Sequence, residues 1–507
     1  MPGNLQPHAA SVDAADHATW QELRHSGLEI LGWTVLAAAS FRVAYLWPPA
    51  RPLIAVYLFS LGQLASQKRW RLAFYSGLLV GFAVGVKQLC FFYTLFSWGA
   101  VGLWLVFGFW IGLFVALARL ALRRFGPAWG LLTLPFLWTG LEYFRSELYY
   151  LRFAWLTPGF AFADPPWEPG FSLLGSYGAG FLMMSLVGAA MAFRRPRSRV
   201  VALLVVVAVL AGLPKLSTSQ VGFSRRENRP HAASVHAADH TKAPGHPLKT
   251  NRVEVVGIQM EFPTENEVML RLRELLRRHP EAELVVLSEY TFDGPVPQVV
   301  RDWCARNGRY LIAGGKEPVS KDCFYNTAYV IDPHGQIVFK QVKAVPIQFM
   351  KDGLAAETQQ VWNSPWGKIG ICICYDLSYT RVTDILVEQG AEALIVPTMD
   401  VMDWGAPQHE LHARVAPVRA AEYDLPIFRV ASSGISQHVD GSGRTLASAP
   451  AGADGAFISG VLELRGPGTL PIDRWLAPTC VVLTLAFSLW LLAVALVSLP
   501  KRSRHVG

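Results

Sequence analysis

Long apolar runs fill most of residues 28–216, and one more lies near the C-terminus. A membrane-spanning helix needs about 20 predominantly apolar residues. The runs have about this length and are separated by short polar or basic segments, so each predicts a transmembrane helix. The eight predicted spans lie near residues 28–46, 51–67, 72–91, 99–121, 127–144, 172–193, 199–216 and 476–498.

The region between the last two predicted spans has the pattern of a soluble domain. Short β-branched runs predict strands, and helical patterns lie between several of them, as at 265–278 and 409–423. Strands that alternate with helices predict an α/β layer fold, in which sites are usually built at strand ends. The predicted strands cover residues 253–259, 284–289, 310–315, 326–332, 368–376, 393–398 and 427–433.

The composition agrees with a membrane protein that carries a large soluble domain. Hydrophobic residues make up 52% of the 507 residues, charged residues only 17%, and the mean hydropathy is +0.27. A chain of this length exceeds one ordinary core, so two or more domains are expected. The predicted parts are an N-terminal tail at 1–27, a membrane domain of about seven helices at 28–216, a linker at 217–250, a catalytic domain at 251–470, a C-terminal transmembrane helix at 476–498 and a basic tail at 499–507.

The formal net charge of +8 is concentrated where apolar runs end, at residues 68–71, 123–124, 194–199 and 501–505. Such clusters mark cytoplasmic loops. With the N-terminus inside, the eight spans place all four clusters in the cytoplasm and residues 217–475 on the outer side. No nucleic-acid-binding motif accompanies the clusters, so nucleic acid is not an expected partner. A cleaved signal peptide is not expected either, because the first apolar run begins late and many spans follow it.

A segment of 11 residues occurs twice, as PHAASVDAADH at 7–17 and PHAASVHAADH at 230–240. Its histidines and aspartates allow two interpretations, a metal site or a duplicated linker rich in alanine. The spacing matches no compact metal motif, so we favour the linker and expect no metal.

Two cysteines lie near the end of an apolar predicted strand, in the stretch GICICYD at 370–376. Side chains two positions apart on a strand point to the same side, so Cys372 and Cys374 are predicted to share one face of the sheet. A lone strand cysteine is more often an inert buried thiol than a nucleophile. Cys374 is the better candidate for chemistry because it lies at the predicted strand end, beside Tyr375 and Asp376.

Two other predicted strand ends carry groups that a reactive thiol needs. Glu289 ends the apolar run LVVLSE, and the predicted hairpin arm that follows Gly335 carries Lys340 and Lys343. Taken singly, the glutamate fits a solvated edge and the lysines fit surface charges. Taken together with Cys374, a carboxylate can accept the thiol proton and an ammonium can stabilise the oxyanion formed on attack. The three residue types form an acyl-transfer set without a histidine.

This order of residues resembles the nitrilase, or carbon–nitrogen hydrolase, superfamily. The flanking spans narrow the resemblance to the apolipoprotein N-acyltransferase family, whose members carry a nitrilase domain between their last two membrane helices. In the membrane half, residues 137–138, 142–145 and 153–156 are similar to the family segment LWxxxEFLR…FPWL. In the soluble half, residues 408–409, 414, 419–422 and 432–435 are similar to the family stretch QH…AR…RAxE…SxNGI.

The resemblance implies a multi-span α-helical membrane domain joined to an α/β domain built as an αββα sandwich. It implies a bacterial inner-membrane enzyme with its catalytic domain on the outer, periplasmic face. The cysteine takes an acyl chain from a phospholipid as a thioester, and the amine of a diacylglyceryl-cysteine apolipoprotein then takes that chain. The expected partners are therefore a phospholipid acyl donor, an apolipoprotein acceptor and the membrane, and no cofactor is expected.

The resemblance also assigns roles to individual residues. It makes Cys374 the nucleophile, Glu289 the general base and Lys343 the cation that stabilises the oxyanion. The expected substrate-binding residues are Trp155, Tyr375, Asp376 and Trp404.

The chain departs from the family pattern in the lysine arm. The family reads KxxLVPFGE, whereas this chain reads KAVPIQF from Lys343, without the glutamate of that arm. Counting from Gly335 favours Lys343, whereas counting back from Gln348 allows Lys340, so both lysines stay open. The family loop Ser-Asn-Asp-Ala-Trp is replaced by Thr-Met-Asp-Val-Met at 398–402, with Trp404 two positions later.

Two other functions are compatible with the sequence. The altered lysine arm leaves open a membrane-tethered nitrilase-type amidase that hydrolyses a small amide. A degenerate domain that serves as a non-catalytic scaffold in the cell envelope is the other alternative, and the intact set of Glu289, Lys343 and Cys374 argues against it.

Overall fold

The structure, a computed structural model, describes residues 27–163, 167–218, 251–452 and 455–497. Both copies of the repeated segment and the basic cluster at 501–505 lie outside the described residues, as do most of the predicted linker and the two tails. The domain boundaries assigned from the sequence therefore stay predictions.

Each of the eight predicted spans coincides with helical structure. Predicted spans four and five lie in one long helix, α5 (Gly99–Tyr143), which changes direction at Gly126, where the backbone φ is 74°. The helices are α1 (Gly27–Leu46), α2 (Ile54–Leu64), α3 (Trp70–Gln88), α4 (Phe91–Phe96), α5 (Gly99–Tyr143), α6 (Glu168–Met191), α7 (Pro196–Thr218) and, after the α/β domain, α13 (Asp473–Val497).

Four helices in the described part of the chain are long and apolar enough to cross a membrane. They are Gly27–Leu46, Gly99–Leu148, Pro169–Met191 and Asp473–Val497. The chain is therefore a helical membrane protein, whereas the count of eight spans stays a prediction.

Glycines bring helices α3 and α5 into close contact. A Cβ atom at Gly108 of α5 would lie 2.7 Å from the carbonyl oxygen of Leu78 in α3, closer than van der Waals contact allows. One at Gly81 of α3 would lie 2.7 Å from the Cα atom of Gly108. Small residues let apolar helices pack backbone to backbone, which stabilises their association where lipid removes the hydrophobic driving force.

The α/β domain consists of two six-stranded sheets with helices on their outer faces. The strands are β1 (Arg252–Ile258), β2 (Leu284–Leu287), β3 (Tyr310–Pro318), β4 (Phe324–Ile331), β5 (Ile337–Val342), β6 (Val361–Asn363), β7 (Lys368–Ile371), β8 (Ala393–Thr398), β9 (Ile427–Ala431), β10 (Ser436–Val439), β11 (Thr445–Ala449) and β12 (Phe457–Glu463). The helices are α8 (Glu265–Arg278), α9 (Gln298–Asn307), α10 (Thr380–Glu388), α11 (Ala406–Ala413) and α12 (Val415–Tyr423).

The two sheets have the same arrangement of strands. The first has the order β12-β1-β2-β3-β4-β5 and the second β11-β10-β9-β8-β7-β6, each with three parallel strands at its centre. Alternate residues of a strand serve different cores: Val253 and Val255 belong to the core that includes the second sheet, whereas Val256 and Ile258 pack with α8 and α9. The predicted fold class, a helical membrane domain with an α/β sandwich, is confirmed.

The predicted strand at 368–376 is too long. Strand β7 ends at Ile371, and a short 3-10 helix, Cys374–Ser378, follows. Cys374 has a positive φ of 54°, a left-handed conformation that ends the extended backbone. The prediction that Cys372 and Cys374 share one face of a strand is therefore wrong, because only the amide of Cys372 continues the ladder, donating to Ile395.

Buried charges join the membrane helices to the α/β domain. Helix α6 is interrupted at Gly175, whose φ is 72°. The helix restarts there, and the amides of Ser176 and Tyr177 find their acceptors outside it. The Ser176 amide donates to Glu422 of α12 at 2.7 Å, and the Tyr177 amide donates to Asp473 of α13 at 3.0 Å. Both carboxylates thus cap a helix N-terminus, where unpaired N–H groups and the helix dipole favour negative charge.

Two arginines complete this junction. The Arg419 guanidinium donates to Glu422, and Arg474 contacts Asp473 at 2.6 Å and Asp384 of α10 at 2.9 Å. The side chains of Arg419 and Glu422 are fully buried, and that of Arg474 is 8% exposed. Removing one partner of such a pair leaves an uncompensated buried charge and costs about 3–5 kcal/mol. The junction therefore fixes the α/β domain relative to α6 and α13.

We expect Gly108→Ala to destabilise the protein, because the new methyl group would lie against the Leu78 carbonyl and force α3 and α5 apart. Overpacking of this kind costs about 1–3 kcal/mol. Gly102, six residues earlier on α5, has open space around its Cβ position. Gly102→Ala should therefore be neutral or stabilise by up to about 1 kcal/mol. Thermal unfolding of both variants in detergent measures the difference, and equal midpoints would contradict the packing account.

Candidate active site

Glu289 lies two residues beyond the end of the apolar strand β2, in the interior between the two sheets. Its side chain is 1% exposed and is held at both oxygens. Oε1 accepts a hydrogen bond from Asn326 at 2.6 Å and contacts the Lys343 ammonium at 2.8 Å. Oε2 accepts the Met399 amide at 2.8 Å. The carboxylate therefore has one fixed orientation.

Lys343 follows directly after β5 and is fully buried between two carboxylates. Its Nζ lies 2.8 Å from Glu289 Oε1 and 2.7 Å from Asp352 Oδ2. Lys340 is 44% exposed instead, and pairs with Glu317 at 2.6 Å. Of the two lysines that the sequence left open, the structure brings Lys343 to Glu289 and leaves Lys340 on the surface.

Cys374 reaches the same place from the second sheet. Its side chain is buried, and Sγ donates to the Met399 carbonyl at 3.6 Å. The N–H of Met399 donates to Glu289, so the thiol contacts the carbonyl group of this residue and the carboxylate contacts its amide. The positive φ at Cys374 turns this thiol away from the path of β7. Cys372 is buried in the core.

Burial controls the ionisation of these groups. It raises the pKa of the Cys374 thiol well above its ordinary value, and the nearby Glu289 carboxylate adds to the rise. It also raises the pKa of Glu289, although Lys343 opposes that rise. For Lys343, burial works against the charged form, but Asp352 and Glu289 together outweigh it and raise the pKa. The resting site therefore holds a protonated thiol, a charged ammonium and a carboxylate of increased basicity.

Asp376 connects the cysteine turn to the lysine arm. Its carboxylate accepts the amides of Ala344 at 3.0 Å, Val345 at 2.7 Å and Ile373 at 3.2 Å. Burial raises the pKa of Asp376 to about 6, against the opposing effect of Lys343. Asp376 does not line the cavity described next, so its position offers it no contact with a substrate there.

A cavity opens from Cys374 toward the membrane helices, with about 930 Å³ of empty space including its mouth. Three of the four residues expected to bind substrate line it, Trp155, Tyr375 and Trp404. Trp155 is held in place by a hydrogen bond from its Nε1 to Ser378 at 2.8 Å. The membrane side of the lining is apolar and consists chiefly of Phe91, Phe92, Leu95, Phe96, Phe107 and Trp110.

Several polar residues of the site were missed by the sequence analysis. Asp352 is the first acidic residue after Lys343, and this position in the sequence could have identified it as a partner of the lysine. Asn326 lies on a predicted strand and carried no signal of its own. The others, Asp400, His412 and Arg429, form a buried cluster beside the cavity.

Comparison with known proteins gives two domain matches that together span most of the chain. Residues 34–190 match the model of the apolipoprotein N-acyltransferase N-terminal domain, and residues 267–461 match the carbon–nitrogen hydrolase model.

Similar proteins of known name extend over almost the whole length. The chain is 25% identical to apolipoprotein N-acyltransferase of Shewanella oneidensis over 486 residues, which cover 86% of this chain and 88% of that protein. It is 24% identical to the protein of the same name from Geobacter metallireducens, over 89% of this chain and 94% of that one. Among solved structures, a carbon–nitrogen hydrolase from Helicobacter pylori G27 aligns with 43% of this chain and 91% of its own at a TM-score of 0.38 and 18% identity.

We expect Lys343→Met to lower the free energy of unfolding by about 3–5 kcal/mol, because it leaves two buried carboxylates without their cation. Lys340→Met removes only an exposed pair and should cost about 0–1 kcal/mol. Chemical unfolding in detergent compares the two variants.

The decrease in the free energy of unfolding in Lys343→Met should also depend on pH. Without the ammonium, the folded-state pKa of Glu289 rises further above its unfolded value. The buried Glu289 carboxyl costs little while it is protonated. It destabilises the fold as the pH rises above the pKa that this carboxyl has in the unfolded chain, about 4.3. The variant should therefore be less impaired at pH 5 than at pH 8, and a pH-independent difference would contradict this electrostatic explanation.

Proposed function

The chain belongs to the apolipoprotein N-acyltransferase family, and on that basis we propose that it transfers an acyl chain from a membrane phospholipid, through a thioester on Cys374, to the N-terminal amine of a diacylglyceryl-cysteine lipoprotein. Lipid and lipoprotein in a bacterial membrane are its substrates. One observation carries the assignment to these residues: the buried set of Glu289, Lys343 and Cys374 opens into an apolar cavity whose other wall is made by membrane helices.

In the first half-reaction, Cys374 attacks the ester carbonyl carbon of the phospholipid. Glu289 accepts the thiol proton as the C–S bond forms, which a protonated resting thiol requires. The Lys343 ammonium has three N–H donors and gives two of them to Glu289 and Asp352, so one remains for the oxyanion. The ester C–O bond then breaks, and the departing lysophospholipid alkoxide takes the proton from Glu289.

In the second half-reaction, the amine of the lipoprotein attacks the thioester carbonyl carbon. The C–S bond breaks, the thiol of Cys374 is restored, and an amide forms. An apolar lining keeps water from the thioester between the two steps. Both half-reactions use the same thiol, so donor and acceptor occupy the cavity in turn.

The cavity lining fits a phospholipid. Its aromatic and aliphatic side chains suit acyl chains, and the lining also includes two arginines, Arg145 and Arg152, which suit an anionic headgroup. The proposed substrate contacts are Trp155 of the membrane half and Tyr375 and Trp404 of the α/β domain. The proposed location is the bacterial inner membrane, with the α/β domain on the outer, periplasmic face, as the distribution of basic clusters supports.

We expect wild-type protein incubated with phospholipid alone to gain the mass of one acyl chain, removable by neutral hydroxylamine as thioesters are. Intact-mass analysis after incubation with phosphatidylethanolamine or, separately, phosphatidylglycerol measures this adduct. A protein that forms no adduct with either lipid yet releases ammonia from small amides would be the tethered amidase. A protein that does neither would be the scaffold.

Variants test each role. Cys374→Ala should form no adduct, whereas Cys372→Ala should keep it and lose about 1 kcal/mol of stability or less. Glu289→Gln should lose the adduct while remaining folded, because the amide keeps the shape of the carboxylate but cannot accept the thiol proton. Lys343→Ala should lose it too, whereas Lys340→Ala should not. An adduct retained in Cys374→Ala would reject the proposed nucleophile.

Labelling of single cysteines tests the orientation. With the exposed cysteines Cys90 and Cys323 replaced by serine, Arg123→Cys and Arg195→Cys should react only with reagents that enter the cytoplasm. Lys321→Cys, on the surface of the α/β domain, should react with a membrane-impermeant maleimide applied to spheroplasts. Labelling of Arg195→Cys from outside would overturn the proposed topology.

A further inference from the structure

A histidine that the two half-reactions above do not use lines the cavity with Cys374. His412 lies near the end of α11, 2% exposed, with its ring stacked on Trp155 at a centroid distance of 4.7 Å and an interplanar angle of 18°. Its Nδ1 lies 2.7 Å from Asp400 Oδ1. The other ring nitrogen, Nε2, is buried and has no hydrogen-bond partner among the described residues.

The surroundings of Asp400 assign the tautomer of this ring. Burial works against the charged carboxylate, but His412 and Arg429 together outweigh it and hold the pKa of Asp400 below its ordinary range. An ionised carboxylate only accepts hydrogen bonds, so at 2.7 Å the Nδ1 of His412 carries the proton. Arg429 also lies 3.1 Å from Nδ1, but its guanidinium already donates to Asp400 Oδ2. In the neutral ring, Nε2 then has a free lone pair.

We propose that His412, oriented by Asp400, is a second base of the acyl transfer and accepts the proton that the lipoprotein amine loses as it attacks the Cys374 thioester. This inference rests on the proposed function and adds a residue outside the Glu289, Lys343 and Cys374 set. The geometry that carries it is an aspartate–histidine pair in which the histidine lines the cavity together with Cys374 and keeps one ring nitrogen without a partner among the described residues.

Glu289 and His412 are suited to different protons. The Glu289 carboxylate is already bound by Asn326, Lys343 and the Met399 amide, and it faces the thiol. Nε2 of His412 has no hydrogen-bond partner among the described residues, so its lone pair is free to accept the proton of the amine.

The transfer to the amine moves one proton from nitrogen to sulfur. A neutral amine forms the C–N bond with the thioester carbon, and the carbonyl oxygen becomes an oxyanion beside Lys343. Nε2 of His412 takes one N–H proton from the new ammonium centre. The C–S bond breaks with its electron pair on the Cys374 sulfur, and the imidazolium returns the proton to that thiolate. The products are the amide and the free thiol, and His412 is regenerated.

The charges that face His412 favour its neutral form. Burial lowers the pKa of the ring most, Asp400 opposes that, and the cations Arg429 and Lys343 lower it further. Because the pKa of the ring lies below its ordinary value, the ring is neutral at pH 7 and above, where the amine itself starts to lose its proton.

The test separates the two half-reactions in His412→Gln. With phosphatidylethanolamine alone, this variant should form the acyl adduct at a rate within about threefold of wild type. With a synthetic diacylglyceryl-cysteine peptide added to the pre-formed adduct, transfer should fall by about 10²–10⁴-fold, the usual contribution of a general base. A retained adduct also shows that the variant is folded. Equal loss of both steps, or transfer at the wild-type rate, would overturn the inference.

A second variant gives a readout that a purely structural role would not move. His412→Ala leaves space beside Trp155, and added imidazole should increase the rate of transfer in this variant at least tenfold. The increase should follow the fraction of imidazole that is neutral as the pH is changed. His438→Gln is the matched control, because His438 is also buried (3% exposed) but contacts the ring of Phe428 and does not line the cavity. It should transfer at the wild-type rate without imidazole. Failure of imidazole to restore any transfer would count against His412 as a base.

These outcomes are distinct from failure of the proposed function. If wild-type protein forms no adduct, the acyltransferase assignment itself fails, and the role of His412 falls with it. If wild-type protein forms the adduct and transfers it, and His412→Gln does both equally well, only the second base is rejected.

Discussion

The buried ion pairs of α12 and α13, together with the two α6 amides that they bind, are the constraint on which the rest of the structure depends. Glu422 and Asp473 cap the restarted helix at Gly175, and Arg419 and Arg474 neutralise them. Charges of this kind are tolerated away from water only while every partner is in place. They therefore specify one docking position for the α/β domain on the membrane helices. The cavity exists only in that position, since each domain supplies part of its wall.

The membrane half was predictable from the sequence because lipid leaves the backbone few choices. An apolar segment must satisfy its own N–H and C=O groups, so each run of about 20 residues becomes a helix. The division between helices was less predictable, as α5 continues through two predicted spans and bends at Gly126. In the α/β domain, short β-branched runs located the strands and the end of one of them located Glu289, whereas the sequence left Lys343 and Lys340 as alternatives.

The parts of the site that sequence reasoning missed depend on tertiary contacts. An apolar run predicted a strand through Cys374, but the left-handed backbone there is a local conformation that residue type does not signal. Asp352 lies in an irregular segment without periodicity, and it meets Lys343 only after the chain folds back. His412 began as one polar position in a helical pattern, and only the packing of α11 against the loop after β8 gives it Asp400 as a partner.

The carboxylate of Asp376 holds two amides of the lysine arm and one of the cysteine turn. The turn that carries Cys374, the proposed nucleophile, and the arm that carries Lys343, the proposed oxyanion-stabilising cation, are thereby tied together through one carboxylate. We therefore expect the exchange of one substrate for the next to depend on the opposite wall, which includes an edge-to-face contact between Phe96 of α4 and Phe349, with ring centroids 5.9 Å apart. The pace of turnover would then be governed by how easily these rings separate, and hence by the thickness and fluidity of the surrounding lipid.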